Sequence, residues 1–92
     1  MSEYMEIEAE LSDDGLEIQF YTNLRLIDGE PENYESVAEM EEGSPVAQTL
    51  AVIDGIAQLR LDKHEITITR TPDAVWHAIE ADVIAALKDF FI

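Results

Sequence analysis

The chain contains no cysteine. That absence removes disulfides, thiol nucleophiles and thiolate ligation of a metal or cluster from these residues together, and it fits a reducing, cytoplasmic setting. Bases are scarce, with five Lys and Arg against 21 Asp and Glu, for a formal net charge of −16. Arg25, Arg60, Lys63, Arg70 and Lys88 are scattered along the chain and form no basic run. A phosphate backbone or an anionic bilayer would be repelled, so neither nucleic acid nor membrane is expected as a partner. No apolar run approaches the roughly 20 residues that a membrane-spanning helix needs. The start, Met1-Ser2-Glu3-Tyr4-Met5-Glu6, has neither the basic nor the apolar region of a signal peptide. A surface this acidic suits a halophilic or simply highly soluble domain, since high salt screens the self-repulsion, and this reading is preferred to an acidic docking face.

Catalytic signatures are also missing. There is no Gly-rich phosphate loop, no nucleophile elbow and no His-Glu-x-x-His zinc helix. The serines are Ser2, Ser12, Ser36 and Ser44, and the histidines are His64 and His77. His64 falls in a hairpin loop, where a solvated ring is the ordinary outcome. Asp73, His77 and Glu80 lie at helical spacing, a pattern that weak metal binding shares with ordinary i,i+3 and i,i+4 charge pairing. The acids between Asp28 and Glu42 invite a calcium reading. However, Gly29 follows the first acid at once and Pro31 stiffens the turn, so an EF-hand loop does not fit. No catalytic residue, cofactor-binding residue, metal ligand or cofactor is therefore assigned, and the chain is expected not to be an enzyme.

What is present is enough for a core. The 92 residues are 47% hydrophobic, the size and composition of one folded domain spanning 1–92. Residues 3–11 alternate, with Met5, Ile7, Ala9 and Leu11 on one side and Tyr4, Glu6, Glu8 and Glu10 on the other, the period of a half-buried strand. Ser12-Asp13-Asp14-Gly15 supplies a turn, and Leu16, Ile18, Phe20, Leu24 and Leu26 resume the phase, with a bend near Thr22-Asn23. Residues 28–43 read as a solvated, mobile connection in which Tyr34, Val37 and Met40 support one weak helical turn. Ser44-Pro45 predicts an N-capped helix from about 45 to 53 with the stripe Val46, Leu50 and Ile53, stopped by Gly55 as its C′ residue.

Leu59 and Leu61 then mark a strand, Asp62 to Glu65 a loop, and Ile66-Thr67-Ile68-Thr69 a β-branched return strand. Thr71-Pro72 repeats the cap-plus-proline device before a long helix over about 72–91. Its stripe is Val75, Ile79, Val83, Leu87 and Phe90, Trp76 flanks the sheet and Phe91 covers an edge. The final Phe90-Phe91-Ile92 is read as core and edge cover in preference to a greasy docking patch. The order β-β-α-β-β-α predicts an α+β fold, a two-layer domain whose antiparallel-rich sheet carries two helices on one face.

One longer pattern carries a family resemblance. Gly43-Ser44-Pro45-Val46-Ala47-Gln48-Thr49-Leu50-Ala51-Val52-Ile53-Asp54-Gly55-Ile56, then Glu65-Ile66-Thr67-Ile68-Thr69-Arg70, then Trp76 and the helix through Phe90, resembles the N-terminal domain of Nfu/NifU-like scaffold proteins. The likeness is close over 43–91 and looser through the hairpin at 4–27. It departs at the first turn, where the family's Thr-Pro-Asn-Pro-like segment is here Ser12-Asp13-Asp14-Gly15. The resemblance implies a role around iron–sulfur cluster biogenesis. It places cluster ligation in a separate Cys-x-x-Cys domain that these residues do not include. The implied function is an accessory module, expected to be a monomer, that contacts a scaffold or client protein without holding the cluster. The alternative is an acidic protein-binding module or inhibitor unrelated to iron–sulfur chemistry.

Overall fold

The computed structural model describes residues 6–91. Its elements in chain order are β1 (Ile7–Leu11), β2 (Glu17–Thr22), β3 (Glu32–Tyr34), α1 (Val37–Glu41), α2 (Pro45–Leu50), β4 (Ile56–Leu61), β5 (Glu65–Arg70) and α3 (Trp76–Phe91). The five strands form one sheet in the order β1-β2-β5-β4-β3, and every neighbouring pair is antiparallel. This is the expected α+β architecture, with one strand and one short helix more than the sequence pattern predicts. The part of the first strand expected at residues 3–5 lies outside the described residues, as does Ile92.

Alternation in the three inner strands decides where the core sits. Ile18 and Phe20 of β2, Leu59 and Leu61 of β4, and Ile66 and Ile68 of β5 all turn to the same side and are buried. Met40, Val46, Ala47, Leu50, Ile79, Val83 and Leu87 of the helices join them in one cluster. Each fully buried aliphatic side chain of this kind is worth about 1.5–3 kcal/mol of transfer free energy. Burial fades at the β1 edge. Ile7 is half-buried, Ala9 is exposed and Leu11 is 52% exposed, although their alternation puts them on the helix side. Those positions were expected to be inward, but an inward phase buries a side chain only where a helix lies over it.

Residues 28–43 depart most from expectation. Tyr34 pairs with Leu59 as the last residue of β3, so it belongs to the sheet and not to a helical turn. Its ring lies against Gly43, where a Cβ would stand 2.5 Å from the ring, and its hydroxyl accepts the Ser44 N–H at 3.2 Å. In α1, Ser36 accepts the Glu39 N–H while Glu39 reaches back to the Glu35 N–H, a variant of the capping box. Met40 is completely buried. A segment that reads as a solvated connection is therefore pinned by one methionine and one tyrosine.

The helix ends also shift. Ser44 occupies the N-cap of α2, but its hydroxyl makes no capping bond and is buried without a partner among the described residues. The Gln48 side-chain amide donates to the Gly43 carbonyl at 2.9 Å, which ties the helix to the preceding turn without satisfying its first N–H groups. Ala51 caps α2 at its C-terminus. Gly55, four residues on at φ +98°, is the turn residue entering β4 rather than a helix stop. There a Cβ would lie 2.8 Å from that of Ala74, so glycine is required both for its backbone and for space. Thr71-Pro72 forms a turn closed by Ala74 N–H to Thr71 O, and α3 begins only at Trp76. This leaves Val75 ahead of the helix and 64% exposed. Ile79, Val83 and Leu87 are buried, and the i+4 ridge they define continues to Phe91, not Phe90. Phe90 is 43% exposed and meets Phe91 edge-on at 4.8 Å.

Truncating the anchor of the supposed connection tests this packing. Met40→Ala should lower unfolding free energy by about 2–4 kcal/mol in urea titration, as a filled core position does. A loss below about 0.5 kcal/mol would be the surface value and would contradict it.

Candidate functional site: the open face of the sheet

Helices cover one face of the sheet and leave the other to solvent. The residues between the core positions point there: Glu17 and Gln19 of β2, Glu65, Thr67 and Thr69 of β5, Gln58 and Arg60 of β4, and Asn33 of β3. Register aligns them across the strands. Glu10 lies opposite Gln19, Gln19 opposite Thr67, Thr67 opposite Arg60, and Arg60 opposite Asn33, a polar row crossing all five strands. The face is hollowed into a concavity of about 490 Å³. Its lining is amide, hydroxyl and carboxylate with one guanidinium, Arg60, in the central row.

Such a surface can hydrogen-bond an extended or curved polar partner, but it contains no nucleophile set against a base. The Arg60 guanidinium makes neither an ion pair nor a hydrogen bond with the described residues, although Glu17, Glu35, Asp62 and Glu65 line the same hollow. Among the described residues the ion pair is Arg25 with Asp28, at 3.4 Å and exposed on both sides. Tyr21, on the same face beside the hollow, donates to Gln19 Oε1 at 2.6 Å. Partial desolvation, followed by the charges of Glu10 and Glu65, pushes its phenol above the ordinary value.

One end of this face is fastened by a cluster around the Gly15 carbonyl. In the β1–β2 turn, Asp14 accepts from Ser12 Oγ at 2.6 Å and from the Leu16 N–H at 3.0 Å, and Gly15 takes φ +71°. The Gly15 carbonyl then receives two long-range donors, Arg70 Nε at 2.9 Å and Trp76 Nε1 at 2.6 Å. Arg70 also donates through Nη1 to the carbonyls of Thr71 and Pro72, and its guanidinium lies 5.9 Å from the centre of the Trp76 ring. A single arginine thus ties the first hairpin to the turn before α3. At the opposite end of the sheet, His64 Nδ1 meets the Leu24 carbonyl at 2.8 Å and docks the β4–β5 loop on the chain after β2.

Of the residues singled out in the sequence, Trp76 lies at this fastening and His64 fills a structural contact. Asp73 falls in the turn before α3, so the helical spacing that would set it beside His77 and Glu80 is not formed. Among the described residues no group of three or more His, Asp or Glu is arranged to hold a metal ion. Sequence reasoning missed Arg60 and Arg70. The signal for both was their strand phase: Arg60 alternates outward between Leu59 and Leu61, and Arg70 closes the β-branched run.

An antiparallel sheet with helices on one side and a polar hollow on the other defines an open-faced, two-layer α+β domain. Residues 7–92 match the family described as scaffold protein Nfu/NifU N terminal, and the chain belongs to that family. Over 49 residues it is 31% identical to NifU-like protein 4, mitochondrial, of Arabidopsis thaliana; this covers 53% of the chain but 17% of that relative's length. The fold resembles the solution structure of a NifU-like protein from Saccharomyces cerevisiae, with a TM-score of 0.74 at 15% identity, covering 92% of this chain and 76% of that one. It also resembles a Staphylococcus aureus protein, with a TM-score of 0.71 at 12% identity, covering 88% of this chain and 96% of that one. Among the described residues no helix is long and apolar enough to cross a membrane.

Two variants test the fastening. Trp76→Phe keeps the ring and removes the indole donor, and should cost about 1 kcal/mol in denaturant titration, whereas no loss would show that the bond is idle. The hydrogen bonds from Ser12 and Leu16 hold the Asp14 carboxyl below its ordinary 3.8, so its contribution is complete above that value and is lost as pH falls through the lowered one. Asp14→Asn should therefore flatten the acid limb of the stability curve below about pH 4. A parallel limb would contradict that role.

Proposed function

We propose that the chain is a non-catalytic, protein-binding module of iron–sulfur cluster assembly or delivery, acting as a cytoplasmic monomer that contacts a scaffold or client protein and does not ligate the cluster. The observation that carries this reading is membership of the Nfu/NifU N-terminal family over residues 7–92 in a stretch that contains no cysteine. Cluster thiolates must then come from another polypeptide or another domain. The open face is suited to the contact, since it offers many hydrogen-bonding groups and no reactive constellation. Family membership supports a role near cluster chemistry, and the lack of cysteine supports one that does not ligate the cluster.

The test is capture from host extract on immobilised protein, run beside a Thr67→Arg variant that fills the centre of the hollow. The expected result is recovery of iron–sulfur apoproteins or a Cys-x-x-Cys scaffold by the parent and much less by the variant. Recovery of no iron–sulfur protein overturns the proposal. A partner unrelated to clusters that is released by moderate salt would favour the acidic-inhibitor alternative, because exposed charge contacts are screened over about 8–10 Å.

A further inference from the structure

Among the described residues the β1 edge of the sheet has no partner strand, and its chemistry differs on its two sides. The β1–β2 ladder fixes which backbone groups face out. The Asn23 N–H donates to the Glu6 carbonyl at one end, and the Ser12 N–H donates to the Glu17 carbonyl at the other. Because inward and outward groups alternate along an antiparallel strand, Glu6, Glu8, Glu10 and Ser12 turn their amides toward β2. Ile7, Ala9 and Leu11 therefore turn theirs to the open edge.

The side chains of the same three residues lie on the helix side and are poorly covered, Leu11 being 52% exposed. Those of Glu8 and Glu10 lie on the open face, opposite Tyr21 and Gln19. A second hollow of about 250 Å³, lined in part by Glu6, Ile7, Glu8 and Tyr21, borders the start of the strand. The edge at β3 offers no equivalent, since that strand is three residues long and preceded by Pro31.

We infer that β1 is a docking edge for an extended segment of a partner protein in which apolar and basic residues alternate. Such a segment adds a sixth strand antiparallel or parallel to β1. Its backbone satisfies the outward groups of Ile7, Ala9 and Leu11, its apolar side chains extend the core over them, and its Lys or Arg side chains pair with Glu8 and Glu10. A second copy of this chain is a poor occupant. Self-pairing of β1 would set glutamates opposite glutamates between two chains of net charge −16. The inference stands apart from the iron–sulfur reading, because it concerns the sequence chemistry of whatever segment binds.

The test uses the whole chain and three blocked peptides: alternating valine and lysine, alternating valine and glutamate, and a block-scrambled valine–lysine peptide. The alternating basic peptide should bind and slow amide exchange at Ile7, Ala9 and Leu11, observed by NMR. The other two should bind about tenfold more weakly, as expected when cross-strand charge pairs are reversed or lost. Ala9→Pro removes an outward N–H while leaving the ladder to β2, and should weaken binding by a similar factor. If that variant does not fold, Glu8→Lys with Glu10→Lys replaces it and should reverse the peptide preference. Equal binding of the alternating and scrambled peptides, unchanged exchange at the three amides, or a concentration-dependent dimer by sedimentation would each overturn the inference.

Discussion

The packing of one face of three strands against three helices is the constraint from which the other features follow. Ile18, Phe20, Leu59, Leu61, Ile66 and Ile68 alternate to the same side because β2, β5 and β4 pair in register, and each of the six is at most 2% exposed. With only one face covered, the intervening residues must be polar, and they are Gln19, Gln58, Arg60, Thr67 and Thr69. The open hollow is thus the complement of the core, produced by the same period of two. The Gly15 carbonyl, bridged by Arg70 and Trp76, then fixes the first hairpin to the entry of α3, so that β1 is held by more than its own ladder.

Charge shapes the surface in a different way. A formal net charge of −16 on so small a body is self-repulsive, and the described ion pair, Arg25 with Asp28, is exposed and contributes little. Stability must therefore rest on burial and hydrogen bonding. The same acid excess is uneven in its consequences. On the open face it leaves Arg60 as the central cation, and at the β1 edge it leaves Glu8 and Glu10 without bases among their cross-strand neighbours, Tyr21 and Gln19.

For function, the informative combination is a family built around scaffold proteins and a sequence without cysteine. The first suggests a role related to iron–sulfur cluster biogenesis; the second leaves these residues without a thiolate ligand. The match spans 17% of the length of the Arabidopsis relative.

By itself the sequence determined the α+β class, the strands at β1, β2, β4 and β5 and both longer helical segments, because period-two and 3.6-residue patterns are local properties. It also carried the family resemblance through Ser44-Pro45, Gly55 and Ile66-Thr67-Ile68-Thr69. Only tertiary structure decided the rest. Tyr34 became a strand residue because Leu59 lay opposite it, Met40 was buried because the sheet edge lay beneath it, and Phe91 rather than Phe90 reached the core because the i+4 ridge from Leu87 ended there. The open hollow and the free edge arose the same way. Pairing partners and the reach of the covering helices are set by residues distant in the chain, and no local pattern encodes which face is left bare.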